Sequence, residues 1–459
     1  MRRSMRRWSA TCAMAAVAAL AGQAAADGMI APGELVYQGA FRLPAGAERP
    51  QTFDYAGNAM TVNPAGDPSG SGDGYPGSLF LTGHERMPYG ELPDGDQVAE
   101  VGIPAPVRTG AVSALPRAHF IQTFHEVTGG MFAGMDEIPR VGMLYLDRPE
   151  TGPLLHLAWG QHFEPEPPMP THAWVSPALD RPDHAGPWFI DDASFYSIND
   201  YMLDIPQAWA DAHAQGRVIG TGRFRDGGWS GMGPALYAYR PWTDAAGTPA
   251  PAGTRLGATT LLLYRSSTET DAIEQALTGY QHPDEWQGAA WLTTADGRSA
   301  VLFAGTKGTG ARYWYGYTHP AGPDHPCVDT DFVGQFPVCR FADGTPCPPS
   351  DLQGCQGHND TRGWWSSRFD AQFLLYDPAD LAAVADGRMA TWAPQPYAVI
   401  DIDEHLFLTE GVEPAMLGSG VQRRLRIGDA AFDRRHGLLY LLELFADGPA
   451  PVVHVWRVQ

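Results

Sequence analysis

The sequence predicts an all-β protein, and three observations support this class. Short apolar segments alternate with turns along the chain, which has 53 Gly and 40 Pro among 459 residues. One pattern begins at three positions, Ala59, Ala289 and Ala430: a small residue is followed by a bulky residue, a polar turn and an apolar strand. The C-terminus predicts three strands, whereas one N-terminal strand lacks a local partner. Together these observations favour a β-propeller over a double β-sandwich.

The two ends of the chain predict how the propeller closes. Strands are expected over 428–433, 437–444 and 451–458, with a polar turn and a Gly-Pro turn between them. Residues 34–42 form one isolated alternating strand. A ring of sheets hides its edges when the strand from one terminus completes the blade of the other. We therefore expect strand 34–42 to pair with the C-terminal blade.

The segments between the two ends supply the remaining blades. About 20 to 24 strands are expected, which gives five to seven blades, with seven the favoured number. Two short helices are expected over Gln207–Ala214 and Pro378–Ala385, because a proline opens each of them. No linker or change of composition divides residues 27–459, so we expect a single domain.

Residues 1–26 predict a secretory signal peptide. Four arginines precede an apolar run over 11–22, and three alanines at 24–26 form a small-residue cleavage site. The apolar run is too short to span a bilayer. We therefore expect an exported protein, periplasmic or extracellular, without a membrane span.

The charge of the chain limits its partners. The formal net charge is −21 at pH 7, and removal of the leader arginines makes it more negative. Nucleic acids and other polyanions need a basic face, so they are not expected partners. An acidic polysaccharide or another extracellular glycan would need a local basic pocket. We expect the protein to be a monomer.

Four cysteines cluster in a loop at 327–355, namely Cys327, Cys339, Cys347 and Cys355. An even cluster in an exported chain predicts two disulfides that hold the loop together. A zinc site is the alternative, but the cluster has no Cys-x-x-Cys pair. Three pairings are open, of which Cys327–Cys339 with Cys347–Cys355 is the simplest.

Several phrases resemble a family of exported bacterial β-propeller proteins that has no assigned activity. They lie at 199–209, 222–236, 305–308 and 374–381, and the likeness extends over most of the mature chain. The resemblance implies an exported propeller and carries over no catalytic residue. In architecture alone, the expected fold is also similar to the propeller-shaped polysaccharide lyases.

Five polar residues at the ends of apolar strands are the expected site residues: His84, His162, Arg223, Lys307 and Tyr313. Asn199 and Asp200, which precede a strand, are further candidates, with a role in a turn as the alternative. Propeller ligands bind at the channel mouth or on one face, where such strand ends lie. Lys307 is the single lysine beside 30 arginines, which indicates a need for a compact ammonium. Structural roles remain open as alternatives, since a histidine can hydrogen-bond within a turn and an arginine can pair with a carboxylate. The presence of a single lysine can also be a coincidence.

These residue types suit β-elimination on a uronic-acid polymer. Arg223 or Lys307 would neutralise the sugar carboxylate, while His84, His162 or Tyr313 would move protons. The alternative is a non-catalytic propeller that binds a glycan or another exported protein. The chain has no haem-attachment motif, which argues against a redox-cofactor propeller. Hydrolysis by two carboxylates is compatible with any chain this rich in acidic residues, so the sequence gives it no specific support. No cofactor is predicted, although the acidic residues would permit structural calcium.

The positions of His84, His162 and Lys307 after apolar strands predict a shared location. Rotation from blade to blade brings equivalent strand ends to one rim, so we expect the three side chains to face a common pocket. Replacement of Lys307 by Met is then expected to weaken binding of an acidic glycan and to leave the melting temperature nearly unchanged.

Overall fold

A computed structural model describes residues 28–459 with several gaps. The gaps are 47, 68–69, 71, 85–94, 136–137, 139, 224–230, 267–274, 282, 311, 315–328, 334–335, 341–363, 367, 410–419, 421–422 and 424–425. For 312–314, 329–333, 336–340 and 364–365 only the backbone is described. The predicted leader and the side chains of the four clustered cysteines therefore lie outside the described part.

The first strand, β1 (Leu35–Arg42), belongs to the last sheet, and blade 1 follows it. Blade 1 contains four consecutive antiparallel strands: β2 (Met60–Asn63), β3 (Ser78–Thr82), β4 (Gln97–Gly102) and β5 (Phe120–Glu126). Every residue of β3 is buried, because this second strand lies within the sheet and packs on both faces.

Blades 2 and 3 are linked through one added strand. Blade 2 contains β6 (Arg140–Arg148), β7 (Gly152–Gly160), β8 (His172–Val175) and β9 (His184–Ile190). Blade 3 contains β10 (Met202–Asp204), β11 (Ile219–Thr221), β12 (Ala235–Tyr239) and β14 (Thr259–Leu263). The short strand β13 (Arg255–Leu256) pairs in parallel with β9, so the chain returns from blade 3 to the outer edge of blade 2.

Blade 4 holds the longest connection of the chain. Its strands are β15 (Glu285–Thr293), β16 (Ser299–Gly308), β21 (Phe369–Tyr376) and β22 (Ala398–Asp401). The described residues between β16 and β21 include four short strands that form two separate pairs: β17 (Arg312–Trp314) with β20 (Trp364–Ser366), and β18 (Asp329–Val333) with β19 (Phe336–Arg340).

Blade 5 closes the ring with strands from both ends of the chain. Its strands are β23 (Ile427–Asp433), β24 (Leu438–Asp447) and β25 (Ala450–Val458), and β1 pairs with β25 from Leu35 opposite Val458 to Arg42 opposite Val452. The predicted closure is confirmed. Phe41 and Val453 are buried in the core shared by blades 5 and 1, so β1 adds apolar contact as well as backbone hydrogen bonds.

The propeller has five blades, the lower end of the expected range. Contacts run around a ring of five inner strands, from β2 to β6, β10, β15, β23 and back to β2. The favoured number of seven is not found, because several strands lie outside the regular four-stranded pattern. β13 extends blade 2, and β17 to β20 belong to the connection within blade 4.

Both predicted helices are present in connections between strands. They are α1 (Gln207–His213) and α2 (Pro378–Ala385). Asp377 caps α2 by accepting a hydrogen bond from the backbone N–H of Ala379 at 2.8 Å. No helix in the described residues is long and apolar enough to cross a membrane.

Candidate functional site in the central channel

The five inner strands give the channel two distinct ends. We call the end where these strands begin the upper rim and the end where they finish the lower rim. Because neighbouring strands within a blade are antiparallel, the second strands β3, β7, β11, β16 and β24 finish at the upper rim.

The topology places four predicted site residues at the upper rim, on four different blades. His84 follows β3, His162 follows β7, Arg223 follows β11 and Lys307 is near the end of β16. The fifth, Tyr313, lies on β17 opposite Trp365, and its side chain is outside the described part. The strand positions alone thus locate the rim, whereas the catalytic roles stay predictions.

Lys307 is bonded to a buried carboxylate. Its ammonium lies 3.0 Å from the carboxylate of Asp284 and donates to the carbonyl of Gly308 at 2.9 Å. The backbone N–H groups of Gln281 and Gly308 also donate to Asp284. Burial raises the pKa of Asp284, and the ammonium opposes that shift. The positive charge of Lys307 is therefore already balanced inside the protein.

Arg223 joins blade 3 to the loop that carries His162. Its guanidinium donates to the carbonyls of Phe195, Gln161 and His162 at 3.1, 3.2 and 2.9 Å. It also lies over the rings of Phe195 and Tyr196. These contacts hold two entering loops together, which is a positioning role.

The two predicted histidines have aromatic neighbours. His84 is buried and its ring meets that of Tyr55 edge-on at 5.6 Å. His162 meets Phe163 edge-on at 4.3 Å. Neither histidine lines the two cavities described below. The common pocket of His84, His162 and Lys307 therefore stays a prediction.

A ring of buried polar residues lies at the upper rim, and the sequence singled out only one of its members, Asp200. Each blade contributes one residue near the start of its inner strand: Asn58, Arg140, Asp200, Glu285 and Asp429. The guanidinium of Arg140 lies 3.9 Å from the carboxylate of Glu285, and these side chains are 1% and 3% exposed. The pair joins blades 2 and 4, which are not neighbours in the ring.

The carboxylate of Asp429 holds blades 5 and 1 together at the same rim. It accepts from the N–H groups of Met60 and Ala430, each at 2.8 Å. Gly57 accepts from the N–H of Asp429 at 2.9 Å. The available sequence signal was an acid inside an apolar strand, which burial makes costly unless it is hydrogen-bonded.

The channel opens into a cavity of about 400 Å³ toward the lower rim. Segments of all five inner strands and the residues just after them form its walls, including Met60, Tyr145, Met202, Trp291 and Phe432. This volume lies within the range of small-molecule sites in proteins, roughly 300 to 1,000 Å³.

An ion pair crosses the cavity at the lower rim. Arg434, in the turn after β23, donates to the carboxylate of Asp204, and its second terminal nitrogen donates to the Asp204 carbonyl at 2.7 Å. These side chains are 34% and 29% exposed. Asp147 and Arg435 line the same cavity and are exposed. The charged groups of the cavity thus comprise two carboxylates and two guanidinium groups.

Burial shapes the ionisation of this cavity. It raises the pKa of Asp204, while Arg434 and Arg148 oppose the shift. It also raises the pKa of Tyr145 to about 12, with help from the nearby negative charges of Asp147 and Glu100. Tyr145 therefore remains a neutral phenol at ordinary pH.

A smaller cavity of about 240 Å³ lies beside blade 2. Arg255 borders it, lies over the ring of Phe189 and pairs with Asp192 at 3.6 Å. The Arg255 and Asp192 side chains are 53% and 93% exposed, so this pair lies at the surface and does not mark an enclosed binding site.

One group of acids in the described part has spacing suited to a metal ion: Asp370, Asp401 and Asp403. Arg426 donates to both oxygens of Asp403 at 2.6 and 2.7 Å, and Arg368 donates to Asp370 at 2.7 Å. Two of the three carboxylates are thus bonded to guanidinium groups, which disfavours a cation among them. The expectation of calcium gains no support from this cluster.

No model of a known protein family matches the chain, and no curated protein matches it significantly in sequence. The architecture of the chain, a five-bladed β-propeller closed by its N-terminal strand, is what the structure shows. Its function must therefore be inferred from the channel itself.

Proposed function

We propose that the protein is an exported saccharide-binding β-propeller whose ligand occupies the channel cavity. The observation that carries this proposal is the cavity of about 400 Å³ on the channel axis, crossed by the Arg434–Asp204 pair. The resemblance to exported bacterial propellers and the predicted leader are consistent with a role outside the cytoplasm.

The cavity combines the two kinds of surface that a sugar needs. Guanidinium and carboxylate groups can make paired hydrogen bonds with neighbouring hydroxyls. Apolar walls that include Met60 and Met202 can contact the C–H faces of a sugar ring. Tyr145, whose ring stacks on that of Phe80 at 6.0 Å, also lines the cavity.

Binding is favoured over catalysis because the two predicted cations are bonded within the protein. Lys307 is paired with Asp284, and Arg223 donates to three carbonyls. Elimination would require a cation directed at the substrate carboxylate and a base near the adjacent carbon. The lyase activity thus becomes the second candidate, supported by the location of four predicted residues on one rim.

The test is a panel of neutral and acidic oligosaccharides measured by isothermal titration calorimetry. Arg435→Ala removes an exposed guanidinium at the cavity, and Arg181→Ala is the matched control because Arg181 is 89% exposed on a turn of blade 2. We expect Arg435→Ala to weaken binding about tenfold, or about 1.4 kcal/mol, and Arg181→Ala to leave it unchanged.

The same panel separates the two candidate functions. Unsaturated products that absorb ultraviolet light would support elimination at the upper rim. Binding without new absorbance supports the saccharide-binding proposal. If no saccharide binds, or if both arginine variants bind as the wild type does, the channel cavity is not the saccharide site.

A further inference from the structure

We infer that the channel cavity selects ligands that carry a carboxylate, and that this carboxylate displaces Asp204 from Arg434. The inference rests on the proposed function and names the ligand class for the same site. It would make an acidic sugar, or another small organic acid, the preferred occupant.

The Arg434–Asp204 pair is accessible to a ligand, whereas the other ion pair across the channel is not. Arg140 and Glu285 at the upper rim are 1% and 3% exposed, so a ligand cannot reach them. Arg434 and Asp204 at the lower rim are 34% and 29% exposed and line the cavity. The partly buried Arg434–Asp204 pair is therefore the one of the two that a ligand carboxylate in the cavity can reach.

Arg434 has unused hydrogen-bonding capacity. One terminal nitrogen donates to the Asp204 carboxylate and the other to the Asp204 carbonyl, so the guanidinium does not bind the carboxylate with both arms. Its Nε is buried and has no acceptor among the residues that the structure describes, so the second N–H of each terminal nitrogen is the capacity that a ligand can use. A ligand carboxylate could take two parallel hydrogen bonds from the same group, which is the stronger arrangement.

Arg435 adds positive charge beside Arg434. It is exposed, lines the cavity and makes no side-chain hydrogen bond or ion pair with the described part of the chain. In a protein of formal net charge −21, such a group provides local attraction for an anion.

The exchange predicts that binding takes up a proton. The charged groups around Asp204 are Arg434 and Arg148, with Asp147 and Arg435 also on the cavity wall. Once Arg434 turns to the ligand, Asp204 loses its closest cation in a site where burial already raises its pKa. One carboxylate and one proton then enter together, and the net charge of the cavity is unchanged.

Calorimetry with three probes tests the inference: glucuronate, glucose and lactate. Each is titrated at pH 7 in two buffers with different enthalpies of ionisation, which reports the number of protons exchanged on binding. We expect glucuronate to bind at least about tenfold more tightly than glucose, with uptake of up to about one proton. Lactate should show the same uptake.

Two variants locate the proton. Asp204→Asn should abolish uptake and tighten glucuronate binding several-fold, because the neutral amide competes less well for Arg434. Asp147→Asn, a matched change on the same wall, should preserve the uptake. Circular dichroism melts of both variants confirm that they fold.

Each outcome separates this inference from the proposed function. If glucose binds as tightly as glucuronate without proton uptake, saccharide binding stands and the carboxylate exchange is overturned. If lactate binds with proton uptake but no sugar binds, the exchange stands and the saccharide function is overturned. If none of the three probes binds, both fail.

Discussion

Lys307 shows how a buried partner changes the expected consequence of a substitution. From sequence, Lys307→Met should leave the melting temperature nearly unchanged. The structure reverses this expectation, because Asp284 is fully buried and accepts from the ammonium at 3.0 Å. Removal of one member of a buried pair leaves an uncompensated charge, at a cost of about 3 kcal/mol.

We therefore expect Lys307→Met to lower the free energy of unfolding by about 3 kcal/mol, measured by urea denaturation. The double variant Lys307→Met/Asp284→Asn should recover most of this loss, because its amide carries no charge that needs a partner. An unchanged unfolding midpoint in the single variant would show that the pair contributes nothing to stability.

Two buried histidines predict that the protein loses stability in acid. Burial lowers the pKa of both His156 and His172 to about 3. The unfolded chain binds these protons near pH 6.5, whereas the folded protein does not bind them until about pH 3. Their contribution to stability is thus complete above pH 6.5 and declines as the pH falls toward 3.

His156 offers the cleaner test, since neither ring nitrogen has a partner among the described residues. We expect His156→Leu to reduce the pH dependence of unfolding below pH 6.5, by up to about 1.4 kcal/mol per pH unit. Urea denaturation from pH 7 to pH 4.5 measures this slope. His119→Leu, at an exposed position, is the control, and parallel curves for wild type and His156→Leu would contradict the argument.

At the scale of elements, the closing strand β1 depends on a glycine that the sequence did not single out. Gly39 has φ of 128°, and a Cβ placed there would lie 2.5 Å from the backbone carbon of Val107. The register of β1 against β25 shifts between Tyr37 and Gly39, which marks a bulge. The bulge lets Ala40 exchange backbone hydrogen bonds with Val107.

Gly39→Ala should therefore weaken the closure of the propeller. A positive φ costs a side-chain-bearing residue about 1–2 kcal/mol, and the contact with Val107 adds to that. We expect a loss of at least about 2 kcal/mol in urea denaturation. Gly33→Ala is the matched control, because its Cβ meets nothing within 4 Å; equal stability of the two variants would argue against strain at Gly39.

The elements could be predicted because they follow local sequence patterns, whereas of the long-range pairings only that of β1 with β25 was predicted. The three C-terminal strands were located from their turns, and Gly437 has φ of 65° in the first of these, as a tight turn requires. In contrast, β13 joins β9 across more than sixty residues, so no local pattern places it in blade 2. The blade number was overestimated for this reason.

The site residues also divide into features that the sequence predicted and features that it did not. Apolar strands ending in polar residues located the upper rim from sequence, because strand direction alternates within each blade. The partners of those residues could not be foreseen: among 52 acidic residues nothing marks Asp284 as the partner of Lys307. The lower cavity escaped prediction because it is formed where five inner strands finish, and its Arg434–Asp204 pair joins residues 230 positions apart.

For the whole molecule, the ring makes the two ends of the chain neighbours. The N–H of Gln459 donates to the carbonyl of Glu34 at 3.0 Å, and β1 lies against β25 as in a hairpin. The last blade is therefore complete only when distant parts of one chain meet. Its stability should depend on the presence of β1 and not on where the chain begins.

A circular permutant tests this dependence. A flexible Gly/Ser linker of about ten residues would join Gln459 to Gly28, and new termini would lie between Ala245 and Ala246, in an exposed turn of blade 3. Because the permutant keeps every strand pairing, we expect one cooperative thermal transition within about 5 °C of the wild type in differential scanning calorimetry.

Removal of residues 28–43 instead exposes the edge of β25 and the apolar side chains that Phe41 covers. That chain should lose the cooperative transition or melt at least about 10 °C lower. A truncated chain that melts at the same temperature as the wild type would show that the propeller closes without β1 and that this strand contributes nothing to its stability.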